Sequence, residues 1–243
     1  MQLTDPKTTI PPPMQYAFDF SSIEPSFGDL VIGPANRQAV DQIQSTETWP
    51  LPWLCLVGPE RSGRSTLAAA WAYRYNGEVI GPQAFNAAPL AELDAFARRA
   101  TALDDADTGL DDDRLLHLLN QARSNGARVL LTAAASPIAW TARQPDLVSR
   151  LKAMTVAHLD LPGESMVRDL IETACHARHV GLPDDVWTYL EKRVPRDYAA
   201  IETLALELCA AVSGTGRSLT VPIAREVLGD TGDLGEDGEE ADE

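Results

Sequence analysis

The sequence predicts an α/β domain, in which a parallel β-sheet is flanked by helices, followed by a small all-helical domain. Three observations support this prediction. Short apolar runs alternate with amphipathic helical patterns as far as residue 161, which is typical of a doubly wound sheet. A glycine-rich turn separates one of these apolar runs from the helical pattern after it. From Glu164 onward the periodic segments are helical, so a helical bundle is expected to follow the sheet.

The predicted elements follow one another with short connections. The predicted strands lie at residues 53–57, 79–80, 101–103, 128–137 (running into a loop) and 156–161. The predicted helices of the α/β part lie within residues 27–44, over 66–76, over 89–97, after an acidic cap at 111–113, and at 145–151. The four helices expected after the sheet lie at residues 166–180, 183–193, 196–212 and 220–228.

The glycine-rich turn follows the apolar run at residues 53–57, which is predicted to be a buried strand. Residues 58–65 read G-P-E-R-S-G-R-S, one residue away from the P-loop signature G-x-x-x-x-G-K-[ST]. Such a turn points backbone N–H groups at a phosphate, and the next helix adds its positive N-terminal end. A glycine-rich turn without a ligand is the alternative. The predicted nucleotide-binding residues here are Gly58, Pro59, Ser62, Gly63, Arg64, Ser65 and Thr66.

Arg64 is the departure from that signature, because a lysine is expected at its position. A guanidinium is broad and planar, whereas an ammonium is a compact point charge, so this exchange is not conservative. Arg64 keeps the positive charge, which favours continued phosphate binding. Efficient hydrolysis of ATP is not expected.

Two acidic residues, Asp104 and Asp105, follow the third predicted strand, as in a Walker-B segment. In P-loop proteins a carboxylate at this place helps to hold the magnesium ion, and a second group positions the attacking water. Asp104 and Asp105 are therefore predicted to take part in catalysis. Asp104 and the hydroxyl of Ser65 are the predicted magnesium ligands.

The composition limits the classes of partner. A formal net charge of −16 argues against broad, nonspecific binding to nucleic acid. Half of that charge lies in residues 230–243, which hold eight acidic and no basic residues and are predicted to be a disordered tail. No apolar run is long enough for a membrane span, so no membrane association is predicted. Three scattered cysteines suit a reducing, cytoplasmic location.

A short peptide near the N-terminus, residues 14–20, follows three consecutive prolines. Its Gln15, Phe18 and Phe20 resemble the peptide with which bacterial proteins dock on the replication sliding clamp. There, the glutamine amide fills a polar niche while large apolar groups fill a pocket. Clamp peptides usually carry Leu or Met at the position of Phe18. The alternative is that the two phenylalanines pack on the domain.

Taken together, these segments resemble the DnaA/Hda family of AAA+ proteins over about residues 14–228. The resemblance is carried by residues 26–39 (SFGDLVIGPANRQA), the P-loop, Asp104 with Asp105, L-L-T at 130–132 with Pro137, P-D-L-V-S-R-L at 145–151, and P-R-D at 195–197. It implies a P-loop AAA+ domain over residues 26–162 and a small helical lid over 163–229. A flexible, clamp-binding segment (1–25) and the acidic tail (230–243) are expected on either side.

The resemblance also implies roles for single residues. Ile32 and Gly33 fall where AAA+ proteins wrap the adenine, and Arg196 matches the sensor-2 arginine that reaches the chain's own phosphates. Arg150 looks like the arginine finger, which is given in trans to a neighbour's nucleotide. The alternative, which the local sequence pattern alone favours, is that Arg150 is only a surface charge. Ala134 stands where the family carries a polar sensor-1 residue, so ADP (or ATP) with Mg²⁺ is the expected ligand, with poor hydrolysis.

For function, the resemblance implies a regulator of chromosome replication initiation. Bound to the sliding clamp (the β subunit of DNA polymerase III), such a protein stimulates ATP hydrolysis by DnaA and so prevents re-initiation. The pattern ends after the lid, without the family's DNA-reading domain, so no direct sequence-specific DNA binding is expected. A stand-alone AAA+ ATPase or loader is the alternative, and a nucleotide-independent adaptor is a third interpretation. Whether the chain forms a homo-oligomer is left open.

Overall fold

A computed structural model describes residues 24–214 and 217–229. The predicted clamp-binding residues Gln15, Phe18 and Phe20 and the acidic tail at 230–243 lie outside these residues. The predictions made for them, and the domain boundaries that depend on them, stay predictions. In the described part of the chain, no helix is long and apolar enough to cross a bilayer.

Five parallel strands form a single sheet, which confirms the predicted fold class. The strands are β1 (Trp53–Val57), β2 (Glu78–Ile80), β3 (Thr101–Leu103), β4 (Val129–Ala133) and β5 (Thr155–His158). Their order across the sheet is β2-β3-β4-β1-β5. Every residue of β1, β3 and β4 is buried, as expected for parallel strands covered by helices on both faces.

Within the described residues, six α-helices cover the two faces of the sheet. They are α1 (Arg37–Gln44), α2 (Arg64–Arg74), α3 (Pro82–Ala87), α4 (Leu90–Phe96), α5 (Asp112–Asn125) and α6 (Pro145–Lys152). Alternate residues of β1 enter two different cores, because successive strand side chains point to opposite faces. Trp53 and Cys55 pack with the layer that contains α3 to α6, whereas Leu54 and Leu56 pack with α1 and α2.

The helical lid has a core of its own. Its helices are α7 (Glu164–His176), α8 (Asp184–Leu190), α9 (Tyr198–Val212) and α10 (Val221–Val227). Ile171, Leu190 and Leu208 lie at the centre of that core with no exposed surface. The hydroxyl of Tyr198 donates to the carbonyl of Asp160 over 3.0 Å, which fastens α9 to the chain segment that leaves the sheet.

Several helix ends differ from the prediction. Helix α2 begins two residues early, at Arg64, because Gly63 before it adopts a left-handed conformation and turns the chain into the helix. Helix α7 ends at His176 instead of residue 180, and His179 has a φ of 59°. Helix α9 begins at Tyr198 instead of 196, because the Asp197 side chain caps it by accepting from the Ala200 N–H.

Two further differences concern a strand end and an additional helix. Strand β5 ends at His158 instead of residue 161, and Leu159 then donates its N–H to the carbonyl of Val57 over 2.8 Å. Helix α3 was not predicted. It begins at Pro82, a residue whose fixed φ and missing N–H suit the first turn of a helix.

Candidate nucleotide-binding site

The P-loop connects β1 to α2, and strand, turn and helix occur in the predicted order. Gly63 has a φ of 91°, and a Cβ atom there would lie 2.4 Å from Cδ2 of Leu30. A Cβ atom on Gly58 would lie 2.8 Å from Cβ of Leu159. Both glycines are thus needed for the path of the loop, one for its backbone conformation and both for close approach.

A cleft of about 630 Å³ separates the P-loop from the lid. Volumes of roughly 300–1,000 Å³ are usual for small-molecule sites. Its walls come from the P-loop, from the segment before α1, and from α7 and α9 of the lid. The lining residues include residues 60–66, Asp29, Leu30, Val31, Asn36, Asp105, Met166, Tyr198 and Glu202. Of the predicted nucleotide-binding residues, Ser62, Gly63, Arg64, Ser65 and Thr66 therefore line this cleft.

Asn36 fixes the segment in which the adenine-binding residues were predicted. This side chain is buried; it accepts from the N–H of Gly33 and donates to the carbonyl of Val31, both over 2.9 Å. Ile32 and Gly33 lie between Val31 and Asn36 at the edge of the cleft, although neither is itself among the described lining residues. The sequence analysis missed Asn36. The available signal was its place directly before the helical pattern of α1, where asparagine is a common N-cap residue.

The acidic pair is positioned by the pairing of β3 with β4. Leu103 lies opposite Leu131, so the residues that follow, Asp104 and Thr132, come together. The Thr132 hydroxyl donates to the carboxylate of Asp104 and accepts from the N–H of Asp105 over 2.9 Å. Since β1, β3 and β4 are parallel, the acids after β3 lie at the same edge of the sheet as the P-loop after β1.

Arg64 links the P-loop to that acidic pair. Its Nη2 lies 3.3 Å from Oδ1 of Asp105, and only 13% of the arginine side chain is exposed. Its Nη1 is buried and has no hydrogen-bond partner within the described residues, and the same holds for the hydroxyl of Ser62. An unpaired buried donor costs about 1–3 kcal/mol. A phosphate oxygen entering the cleft would remove that cost.

The acidic pair does not fit a magnesium ion as it is arranged here. Asp105 is paired with the Arg64 cation, and Asp104 accepts from Thr132. Across the described ranges, no group of three or more His, Cys, Asp and Glu side chains is placed to hold a metal ion. The predicted magnesium ligands, Ser65 and Asp104, stay a prediction.

Asp107 is a site residue that the sequence analysis missed. Its Oδ2 accepts from the backbone N–H groups of Ala134 and Ala135, each over 2.9 Å, and so holds the loop that follows β4. Ala134, at the predicted sensor-1 position, is thereby fixed through its backbone. Burial raises the pKa of the nearby Cys55 thiol, with a further contribution from the Asp107 carboxylate, and the Arg64 cation opposes both. The available signal was a third acid two residues after the predicted Walker-B pair.

Arg150 lies on α6, at the other end of β1 from the P-loop. Its Nη2 donates to Oδ1 of Asn120, and its guanidinium lies 5.7 Å from the ring centroid of Trp53. Trp53 is the first residue of β1, whereas the P-loop follows the last, Val57, and five strand residues span about 13 Å. The structure therefore does not bring Arg150 into the site with Arg64.

The lid contributes two charged side chains near the cleft. Glu202 on α9 lies 3.5 Å from the guanidinium of Arg61, so an ion pair joins the P-loop to the lid. Arg196 is largely exposed, lies 4.0 Å from the carboxylate of Glu164, and is not among the described residues that line the cleft. Its predicted contact with phosphate stays a prediction.

A five-stranded parallel sheet with the order β2-β3-β4-β1-β5, a P-loop after β1, acids after β3 and a helical lid together define an AAA+ fold. The solved structures that resemble the chain support this class. Domain III of DnaA from Thermotoga maritima superposes with a TM-score of 0.68 at 20% identity, covering 86% of this chain and 97% of that one. DnaA from Aquifex aeolicus with AMPPCP bound gives 0.63 at 17% identity, over 82% of this chain and 68% of that one.

The Thermotoga maritima RuvB Holliday junction branch migration motor is also similar. It gives a TM-score of 0.64 at 13% identity, over 85% of this chain and 72% of RuvB. At these identities the likeness establishes the fold. The chain thus has the AAA+ fold of DnaA domain III and of RuvB, which confirms the fold predicted from the sequence.

Sequence comparison finds two kinds of relative. An uncharacterized protein of Haemophilus influenzae is 25% identical over 231 residues, which is 88% of this chain and 95% of that protein. DnaA of Geobacter sulfurreducens is 25% identical over 118 residues, which is 49% of this chain. The matched part spans only about a quarter of that DnaA, namely 26% of its length. No protein-family model matches the chain.

Proposed function

We propose that this chain is a nucleotide-binding regulator of replication initiation, of the Hda type. Docked on the sliding clamp, it stimulates ATP hydrolysis by DnaA and so prevents re-initiation. It holds ADP in its own cleft and has weak or no ATPase activity of its own. The fold it shares with DnaA domain III supports a role beside DnaA, since AAA+ domains act on one another's nucleotides through paired surfaces.

The observation that carries this proposal is the position of Arg150. It lies at the opposite end of β1 from the chain's own P-loop, so its charge is available to a nucleotide held by a neighbour. The residues around it support such a role. Leu147 and Leu151 anchor α6 in the core, and the Trp53 ring and Asn120 hold the guanidinium in place. Single-turnover hydrolysis by ATP-loaded DnaA tests the proposal.

The geometry of the chain's own site supports ADP as its ligand. The backbone path of the P-loop needs no lysine, because N–H groups and the start of α2 supply the contacts to the α- and β-phosphates. The γ-phosphate is the group that needs a lysine, a polar sensor-1 residue and a metal ion. This chain has Arg64 and Ala134 at the first two positions.

ADP is accordingly expected to bind at least as tightly as ATP. The added γ-phosphate would face Asp104 and Asp105 without the compact charge that normally offsets such repulsion. Calorimetric titration of the purified protein with each nucleotide measures the two affinities. A strong preference for ATP, together with rapid turnover, would contradict this expectation.

Docking on the sliding clamp is expected to depend on Gln15 and Phe20. Replacing both with alanine should abolish clamp binding and leave thermal unfolding unchanged, because the peptide precedes the first core residue of the described domain. Pull-down or surface plasmon resonance on immobilised clamp is the measurement. Tyr16→Ala, within the same peptide, is the matched control and should retain binding. Clamp binding by the double variant would leave the alternative, in which the phenylalanines pack on the domain.

A stand-alone AAA+ ATPase or loader is the second candidate. It is favoured by the acidic pair after β3, which lies at the same sheet edge as the P-loop. Measurable turnover by the chain alone, lost on Asp104→Asn, would support this candidate. The third candidate, an adaptor whose P-loop has lost its function, would be supported if the purified protein retained no nucleotide.

A further inference from the structure

The Arg64 guanidinium has two sides, and only one of them is engaged. Nη2 lies 3.3 Å from Asp105, whereas Nη1 is buried and has no partner in the described part of the chain. A guanidinium presents five N–H donors in a fixed planar fork, so one group can contact a carboxylate and a phosphate together. A lysine ammonium is a compact point charge, so it cannot contact the carboxylate and the phosphate with the same geometry.

The other charges on the cleft wall leave Arg64 as the cation best placed for phosphate. Arg61, the second arginine of the P-loop, is more exposed and is paired with Glu202 of the lid. The acid paired with Arg64 in the cleft is Asp105, whose charge Arg64 balances. A phosphate that enters beside Arg64 therefore meets a cation that is already desolvated, which strengthens its hydrogen bonds.

A magnesium ion has no comparable place. Magnesium needs a near-octahedral set of oxygen ligands at about 2.0–2.1 Å and gives up its water reluctantly. Here the Arg64 guanidinium contacts the Asp105 carboxylate, and the Thr132 hydroxyl donates to Asp104. To bind through both carboxylates, the ion would have to displace the largely buried Arg64 guanidinium from Asp105.

From these contacts we infer that the cleft takes a nucleoside diphosphate with Arg64, and not a magnesium ion, as the cation that faces its phosphates. The inference rests on the nucleotide binding proposed above and specifies how that site works. Metal-free ADP, and not its magnesium complex, is the ligand. The bound nucleotide would then be insensitive to chelation of divalent cations.

Calorimetric titration of the full chain with ADP, once in Mg²⁺ and once in EDTA, is the direct test. The wild-type affinity is expected to be the same or higher in EDTA. Arg64→Ala should lose roughly 10- to 100-fold in affinity in EDTA, as for one lost hydrogen bond to a charged group. Mg²⁺ should restore part of that loss, since the cation that excludes it is gone. Arg64→Lys should likewise bind ADP better with Mg²⁺ than without.

Arg61→Ala is the matched control, because it removes an arginine of the same loop that is paired elsewhere. The ratio of its ADP affinities with and without Mg²⁺ should equal that of the wild type. ADP binding by the wild type that is lost in EDTA would overturn the inference and leave the proposed function standing. Absence of ADP binding under both conditions would overturn the proposed nucleotide binding as well. The wild-type comparison needs no variant, so a variant that fails to fold does not weaken the test.

Discussion

Arg150→Ala is expected to eliminate the stimulation of DnaA by this protein, a loss on the order of 10³-fold or more in the hydrolysis rate. Arginine fingers given in trans contribute about 10³–10⁵ in related nucleotide hydrolases, because they stabilise the charge that develops on the γ-phosphate. The assay is single-turnover hydrolysis by ATP-loaded DnaA, with this protein and clamp on DNA. Arg150→Lys should fail nearly as badly, because an ammonium cannot supply the forked contact.

Three controls accompany this experiment. Lys152→Ala removes an exposed cation from the same end of α6 and should stimulate DnaA normally. Arg150→Ala should bind ADP as the wild type does, because Arg150 lies away from the chain's own P-loop. Arg196→Ala, unlike Arg150→Ala, should lose the binding of this protein's own nucleotide. Full stimulation by Arg150→Ala would instead make Arg150 a surface residue hydrogen-bonded to Asn120 and would remove its assignment as the arginine finger. Absence of any stimulation by the wild type would overturn the proposed function.

Gly63→Val is expected to abolish nucleotide binding. The residue has a φ of 91°, which a β-branched side chain does not tolerate, and the added Cβ would lie 2.4 Å from Leu30. The loop must then change its path, and its N–H groups no longer converge on a phosphate. We expect ADP affinity to fall by roughly 10²-fold or more, since each hydrogen bond to a charged group is worth about 1.5–3 kcal/mol.

Gly109→Val is the matched control for backbone strain. Gly109 has a φ of 105°, and no atom would lie within 4 Å of an added Cβ. Valine there should lower the thermal stability to a similar degree but leave ADP affinity unchanged. Titration calorimetry and thermal unfolding of both variants separate the two effects. Normal ADP binding by a folded Gly63→Val variant would show that the loop does not cradle the phosphate.

The sheet and lid could be predicted because their signals are local. The apolar run at Trp53–Val57 is both the predicted and the observed β1, and the four lid helices occur where helical periodicity placed them. Several ends could not be predicted, because distant residues fix them. Strand β4 ends at Ala133, and the next two N–H groups donate to Asp107, which comes from the loop after β3.

In the candidate site, too, local features could be predicted and contacts between distant segments could not. The spacing of residues 58–65 identifies the P-loop, because the phosphate cradle is one continuous turn. The pairing of Arg64 with Asp105 depends on which strands are neighbours, and no pattern within either segment contains that information. The ion pair between Arg61 and Glu202 depends on how the lid lies over the loop. Contacts between segments far apart in the chain therefore set the charge balance of the cleft.

The position of β1 inside the sheet also constrains how the protein is made. Leu54 pairs with Leu130 on one side and with Thr155 on the other, so both neighbours of β1 are synthesised long after it. Pairings so distant in sequence form slowly, because the loop between them must close first. Until β4 and β5 have been synthesised, the strand that precedes the P-loop, β1, lacks both of its neighbours in the sheet. The P-loop can thus reach its final position in the sheet only after β4 and β5 have been synthesised.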